Sequence, residues 1–275
     1  MDYIELDIEL KTLTPWREVI LSDLAVVGFE SFIETKSGLK GYINVNDFSD
    51  DMLLILGNYK SHILSYEINT IKDENWNAKW EENFDPVFVE DKLAIIAPFH
   101  QGDYNQDLIV KIQPQMSFGT GHHQTTWLAS RKLFKLDLKG KKVLDMGTGT
   151  GVLAIVAEKL GANSIFAPDI DKWSYNNATE NVELNNCTKI EVALGGDELL
   201  TGKEFDIIIA NINKNILIQH FPIYANAIKS GGIMLNSGFF TTDQSDLITA
   251  AEKCGFVFES IESKDEWALL EFIKK

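Results

Sequence analysis

Three glycines spaced two residues apart follow a short apolar segment of this chain. The segment 142–146 leads into Gly147, Gly149 and Gly151, and residues 152–157 continue with helix-forming side chains at helical spacing. A strand, a glycine turn and a helix in this order form the nucleotide-binding unit of an open α/β sheet, because a backbone without Cβ atoms lets a ligand approach closely. A turn that holds no ligand is the alternative, but glycine turns between a strand and a helix so often bind ligands that we favour a site.

The spacing of the glycines narrows the kind of ligand. A dinucleotide-binding turn reads G-x-G-x-x-G, and Val152 stands where its third glycine would fall. The observed pattern, D-x-G-x-G-x-G beginning at Asp145, resembles the first motif of S-adenosylmethionine-dependent methyltransferases. That cofactor has no pyrophosphate, so the helix after the turn need not bind one.

Polar side chains stand at the ends of three later strands. Asp169 ends the second strand, 22 residues after Gly147, where a carboxylate can accept hydrogen bonds from both hydroxyls of a ribose. Asn211 ends the buried strand 205–210, and Asp197 follows the third strand, where we expect it to reach an adenine amine. Because ligands of parallel sheets bind at the carboxyl ends of the strands, Gly147, Asp169 and Asn211 are predicted to meet at one site.

A second polar segment precedes the glycine turn. A loop of small, hydroxyl and imidazole residues leads into a helix predicted for 127–136, and it reads Phe118-Gly119-Thr120-Gly121-His122-His123-Gln124-Thr125-Thr126. The adjacent histidines invite a metal interpretation, but neighbouring side chains diverge and no completing motif lies nearby. We therefore expect no metal and a loop that lies over a cofactor, with Thr125 and Thr126 available to cap the helix.

The order of predicted elements divides the chain into two domains and a linker. Residues 1–70 follow the order βαββαβ, which indicates a small ferredoxin-like α+β domain. Residues 71–102 form a predicted linker with two short strands and an aromatic helix over 75–84. From residue 103 to 275 strands and helices alternate and end in a hairpin, so the fold class is α/β, with a Rossmann-like seven-stranded sheet.

Composition limits the partners and the location. The 275 residues carry a formal net charge of −16, which argues against nucleic acid as the main partner. The charge suits a basic protein substrate and serves solubility equally well, and both interpretations stay open. No apolar run is long enough to span a membrane, and the N-terminus does not read as a signal peptide. The two cysteines are far apart in the sequence and form no metal-binding pair. A cytoplasmic protein is expected.

With these motifs assembled, the chain resembles the ribosomal protein L11 methyltransferase family (PrmA type), a class of S-adenosylmethionine-dependent enzymes. Residues 118–126 resemble that family's Phe-Gly-Thr-Gly-x-His-x-Thr-Thr signature, and Ala210-Asn211-Ile212 resembles its Ala-Asn-Ile-Leu motif. The resemblance covers nearly the whole chain, with departures at Gln113, Pro168 and Asn213. It implies trimethylation of lysine and N-terminal amines, and recognition of the ribosomal protein by the N-terminal domain.

The resemblance also implies which residues bind S-adenosylmethionine. Together with the residue patterns, it gives the expected cofactor-binding set Phe118, Thr126, Gly147, Gly149, Asp169, Asp197 and Asn211. As the expected catalytic residue, Asn211 orients either the amine or the methionine end of the cofactor. A small-molecule N-methyltransferase on the same fold is the alternative function, and a non-catalytic cofactor-binding partner of the ribosome is a third. A separate docking domain favours the protein substrate, since a metabolite needs none.

Overall fold

The computed structural model describes residues 2–71, 81, 84–115 and 117–275. The chain divides into two compact units, Met1–Asn83 and Phe84–Lys275. The aromatic helix predicted for residues 75–84 lies outside the described residues except at its end, and it stays a prediction.

The first unit is a four-stranded antiparallel sheet with the strand order β2-β3-β1-β4. Its elements are β1 (Tyr3–Leu10), α1 (Trp16–Val26), β2 (Ser31–Glu34), β3 (Gly38–Asn44), a 3-10 helix (Asp50–Tyr59) and β4 (Ile63–Ile71). The ferredoxin-like arrangement is thereby confirmed, although the second helix is of the 3-10 type. Alternate residues of β1, Leu6 and Ile8 among them, are fully buried, so one face of the sheet makes the core.

The second unit is built on a seven-stranded, mostly parallel sheet with the order β10-β9-β8-β11-β12-β14-β13. Its strands are β8 (Lys142–Met146), β9 (Ser164–Asp169), β10 (Ile190–Leu194), β11 (Phe205–Asn211), β12 (Ile228–Phe240), β13 (Phe256–Lys264) and β14 (Trp267–Lys274). Its helices are α2 (Gln124–Leu133), α3 (Val152–Lys159), α4 (Lys172–Leu184), α5 (Lys214–Ala227) and α6 (Gln244–Lys253). No helix among the described residues is long and apolar enough to cross a membrane.

The central strands are apolar on both faces because helices cover the sheet on both sides. Ile207 and Ile209 of β11 belong to the core that contains α2, α3 and part of α4, whereas Ile208 and Ala210 belong to the core beneath α5 and α6. The predicted buried strand is therefore confirmed, and its last residue, Asn211, emerges at the carboxyl edge of the sheet.

Three short strands precede this sheet in the second unit. They are β5 (Val87–Val89), β6 (Leu93–Ile96) and β7 (Leu108–Lys111), which pair in the order β5-β6-β7. Val89, Leu93 and Ile95 are buried in the same core as α2 and α3. The two strands of residues 87–96, predicted as part of the linker, thus lie in the second unit, because their apolar side chains are needed to complete its core.

A buried ion pair joins α2 to the closing hairpin. The Lys132 ammonium lies 2.7 Å from the Glu271 carboxylate, and both residues are less than a tenth exposed. The Ser260 hydroxyl donates to the same carboxylate oxygen at 2.6 Å. Since α2 begins beside the polar loop and β14 carries Glu271, this pair fixes two elements that border the carboxyl edge of the sheet.

Removing one charge of this pair should destabilise the second unit. Lys132→Met leaves the Glu271 carboxylate buried without a counter-ion, so the free energy of unfolding should fall by about 3–5 kcal/mol. The double variant Lys132→Met with Glu271→Met should recover most of this loss, because no unpaired charge remains. Urea titration followed by circular dichroism measures both, and a double variant as unstable as the single one would contradict the assignment.

Candidate active site

The glycine turn has the backbone that its sequence predicts. Gly147, Gly149 and Gly151 have φ angles of +71°, +58° and +82°, a region that side chains with a Cβ adopt at a cost. A Cβ atom on Gly149 would lie 2.2 Å from the carbonyl oxygen of Phe118, and one on Gly147 would lie 2.5 Å from the Ile212 side chain. Glycine is therefore required at both positions for close packing as well as for conformation.

The polar loop is hydrogen-bonded to the glycine turn. The Thr150 N–H donates to the Phe118 carbonyl at 2.9 Å, and the Thr150 hydroxyl donates to the Gly119 carbonyl at 2.6 Å. Two consecutive carbonyls of the loop are thus held by one residue of the turn, and the prediction that this loop lies over a cofactor stays a prediction.

Two buried carboxylates flank the turn. Asp169 is 8% exposed, and its two oxygens accept from the backbone N–H groups of Gly149 and Asp171, each at 2.9 Å. Asp145 accepts from the Thr148 hydroxyl at 2.7 Å and from the Ala154 N–H at 3.1 Å. Burial raises the pKa of Asp145 to about 6, with the nearby Asp169 charge adding to the rise and the two hydrogen bonds opposing it.

A cavity of about 450 Å³ opens along the carboxyl edge of the seven-stranded sheet. Its lining follows the strand order, with Asp169 from β9, Gly147 after β8, Asn211 from β11, Gly238 from β12 and Trp267 from β14. The structure therefore brings together Gly147, Asp169 and Asn211, as predicted from the strand ends. The volume and the mixture of apolar walls with a few polar groups are those of a small-ligand site.

Asn211 presents an unsatisfied polar atom to this region. Its amide nitrogen lies 3.4 Å from the hydroxyl of Thr126, which is fully buried in the first turn of α2. Its carboxamide oxygen is buried and has no hydrogen-bond partner among the residues that the structure describes. Because a buried acceptor without a donor is costly, this oxygen is suited to receive an N–H from a ligand.

Phe118 and Asp197 complete the predicted set. Phe118 lines the cavity and is 56% exposed. Asp197 does not line it, and its carboxylate lies 4.0 Å from the ring of His220, which does. The structure thus places Asp197 behind His220 rather than at the cavity wall, and an adenine contact by Asp197 stays a prediction.

The two adjacent histidines point to different partners. The His122 Nε2 lies 2.9 Å from the Asp85 carbonyl, and its Nδ1 lies 3.1 Å from the Thr120 hydroxyl. His123 lines the cavity, and its Nδ1 accepts the Thr125 N–H at 3.3 Å as the N-cap of α2. Among the described residues no group of three or more potential ligands is placed to hold a metal ion.

Sequence analysis missed three asparagines, on α4 and directly after its end, whose side chains bond to the glycine turn and to the backbone of residues 111 and 113. Asn181 donates to the Thr150 carbonyl at 2.9 Å and accepts the Gln113 N–H at 2.7 Å. Asn177 donates to the Gln113 carbonyl, and Asn185 bonds to both backbone groups of Lys111. These asparagines are four residues apart and therefore lie on one helix face, and this spacing is the sequence signal that could have revealed them. Trp267 was also missed, because alternation along a strand does not show which ring reaches a site.

Comparison with known proteins places this arrangement in a family. A model of the family described as "Ribosomal protein L11 methyltransferase (PrmA)" matches residues 17–275. A ribosomal protein L11 methyltransferase of Porphyromonas gingivalis is 42% identical over 266 residues, with 95% of this chain and 92% of the relative covered. One of Phocaeicola vulgatus is 40% identical over 281 residues, with both chains fully covered.

A solved structure agrees with these sequence matches. The crystal structure of a ribosomal protein L11 methylase from Lactobacillus delbrueckii subsp. bulgaricus superposes with a TM-score of 0.65 at 29% identity. The match covers 70% of this chain and all of the other. On these matches, which include the glycine turn, the polar loop and the Asn211 strand, the chain belongs to the ribosomal protein L11 methyltransferase (PrmA) family.

Proposed function

We propose that this protein transfers methyl groups from S-adenosylmethionine to lysine side-chain and N-terminal amines of a ribosomal protein of the L11 type. The observation that carries the proposal is the row of residues along the cavity, in which Asp169, the glycine turn and the unsatisfied Asn211 oxygen follow one another on neighbouring strands. Membership of the family supports both the cofactor and the substrate.

The residues of the cavity fit S-adenosylmethionine. The Asp169 carboxylate can accept the ribose hydroxyls, since each oxygen keeps a lone pair beyond its backbone hydrogen bond. Gly147 and Gly149 leave the backbone open to the ligand, and Phe118 and Ile170 provide apolar walls. Thr126 and Asn211 supply polar atoms at the strand end next to the turn.

The residues of the chain act by orientation. Bound S-adenosylmethionine supplies a methyl group that its sulfonium already activates, so the protein has to align the amine with that methyl. A lysine amine is only about 0.04% neutral at pH 7, and the apolar walls of the cavity lower the pKa of an amine that enters it. The Asn211 carboxamide accepts one N–H and fixes the direction of the nitrogen lone pair. Because a carboxamide takes up no proton, the proton of the amine goes to solvent.

The first unit supports a protein substrate over the small-molecule alternative. Residues 1–60 contain eleven acidic and five basic side chains. Glu5, Asp7 and Glu9 lie on one face of β1, the face opposite the core, where Lys40 forms ion pairs with Glu5 and Asp7. An acidic surface attracts a basic protein and raises the rate of encounter. The cytoplasmic location and the lack of direct nucleic-acid binding stay predictions.

Substitution of Asp169 should weaken cofactor binding. Asp169→Ala removes a charge-assisted hydrogen-bond acceptor worth about 1.5–3 kcal/mol, a tenfold to hundredfold change in affinity. Calorimetry with S-adenosylmethionine on folded protein measures it. Asp171→Ala is the matched control, because Asp171 caps α4 and does not line the cavity. Unchanged affinity in Asp169→Ala, or an equal loss in both variants, would refute the ribose assignment.

A methyl group at the glycine turn should act through the polar loop. Gly149→Ala puts a Cβ against the Phe118 carbonyl and displaces the loop, which should weaken cofactor affinity by roughly 10- to 100-fold. Gly202→Ala is the control, since Gly202 also has a positive φ of +75° but has open space around its Cβ position. Equal affinities of the two variants would show that the contact with Phe118 is unimportant.

Removal of the first unit should separate cofactor binding from substrate docking. A fragment of residues 84–275, which keeps β5 to β7, should bind S-adenosylmethionine normally. Its kcat/KM for the unmethylated L11-type protein should fall roughly 100-fold, which corresponds to about 2.7 kcal/mol of lost docking. For the full chain, KM for the protein should rise with salt while cofactor affinity changes less. Mass spectrometry of the products gives the rates, and a folded fragment as active as the full chain would favour a small-molecule substrate.

A further inference from the structure

Aromatic rings form one wall of the cavity. Phe118, His123 and Trp267 all line it, with centroid distances of 5.2 Å between Phe118 and His123 and 4.4 Å between His123 and Trp267. Phe240 is the cross-strand neighbour of Trp267 and packs against it, with the centroids of the two rings 4.3 Å apart. We call Phe118, His123 and Trp267 the aromatic wall. Phe118 also provides an apolar wall for the cofactor, whereas His123 and Trp267 take no part in the cofactor binding described above.

The Trp267 end of the aromatic wall lies away from the ribose-binding carboxylate, whereas Phe118 at its other end borders the glycine turn. Along the edge of the sheet the order is β9, β8, β11, β12 and β14, so Asp169 and Trp267 stand on strands four places apart, with Asn211 on the strand between. Neighbouring strands are about 4.8 Å apart, which separates the two strands by about 19 Å. A nitrogen held at Asn211 therefore lies between the strand that carries Asp169 and the strand that carries Trp267.

The electrostatics of this end suit a cation. None of the described residues that line the cavity is a lysine or an arginine. Burial lowers the pKa of His123, so its ring is uncharged at neutral pH. The hairpin turn that precedes Trp267 exposes Asp265 and Glu266, and Asp265 accepts a hydrogen bond from Gln124 at 3.1 Å. The faces of uncharged rings attract ammonium groups, and quaternary ammonium most selectively.

We propose that the aromatic wall holds the methylated ammonium between successive transfers, so that one nitrogen receives more than one methyl group. The inference rests on the proposed function. Counted from the ammonium form of the amine, each transfer exchanges one N–H for N–CH₃, releases one proton to solvent and leaves S-adenosylhomocysteine. The amine thereby loses donors for the Asn211 oxygen at each step, while its contact with the rings increases. The wall thus replaces a hydrogen bond that the reaction itself removes.

The distribution of products tests this role. Trp267→Leu is incubated with S-adenosylmethionine and recombinant unmethylated L11-type protein, and mono-, di- and trimethylated products are followed by mass spectrometry. The second and third transfers should slow about 5- to 30-fold more than the first, so that monomethylated product accumulates. Trp267→Phe, which keeps an aromatic face, should restore most of the trimethylated product. Trp173→Leu is the control for the same chemical change, since Trp173 is 71% exposed and does not line the cavity.

The outcomes separate this role from simpler ones. An unchanged product distribution in Trp267→Leu, or an equal slowing of all three transfers, would overturn it. The proposal would also be overturned if weaker binding of S-adenosylhomocysteine to the variant accounted for the whole effect, because the wall would then act on the cofactor. If Trp267→Leu does not fold, Trp267→Met takes its place, since a flexible thioether side chain fills the space of the ring without an aromatic face. A wild-type protein that stops at one methyl overturns the inference alone, and one that transfers none overturns the proposed function as well.

Discussion

The hydrogen bonds between Thr150 and the carbonyls of Phe118 and Gly119 hold two separate parts of the chain together. They join the loop before α2 to the turn before α3, so both helices begin at fixed positions beside the same cavity. The contact is possible because Gly149 brings bare backbone against the Phe118 carbonyl, where a Cβ atom would lie at 2.2 Å. Cofactor turn, polar loop and aromatic wall all depend on this close approach of two backbones.

Much of the site follows from the sequence because it depends on local patterns. Glycine spacing sets the turn, and an apolar run followed by a polar residue sets where each strand ends. Once the strands are known to be parallel, their carboxyl ends must lie at the same edge of the sheet. This rule predicted that Gly147, Asp169 and Asn211 lie together. The seven-stranded sheet and the antiparallel N-terminal domain were predictable for the same reason.

What the sequence did not predict depends on contacts between distant segments. The strands of residues 87–96 look like a linker by themselves, and only the core formed with α2 and α3 shows that they belong to the second unit. Asp197 follows a strand as a ligand-binding residue would, but its position 4.0 Å from the ring of His220 on α5 could not be read from the sequence. Trp267 reaches the cavity because β14 runs antiparallel to β12, so its first residue lies where the parallel strands end. None of these positions leaves a local signal.

The asparagines of α4 have a consequence for the edge of the smaller sheet. β7 is an edge strand, and the backbone beyond it would offer free N–H and C=O groups to another chain. Asn185 satisfies both groups of Lys111, and Asn177 with Asn181 satisfies both groups of Gln113. Carboxamides spaced along one helix thus pair with alternate residues, as a neighbouring strand would. The sheet is closed at this end by side chains, and it offers no template there for intermolecular β-pairing.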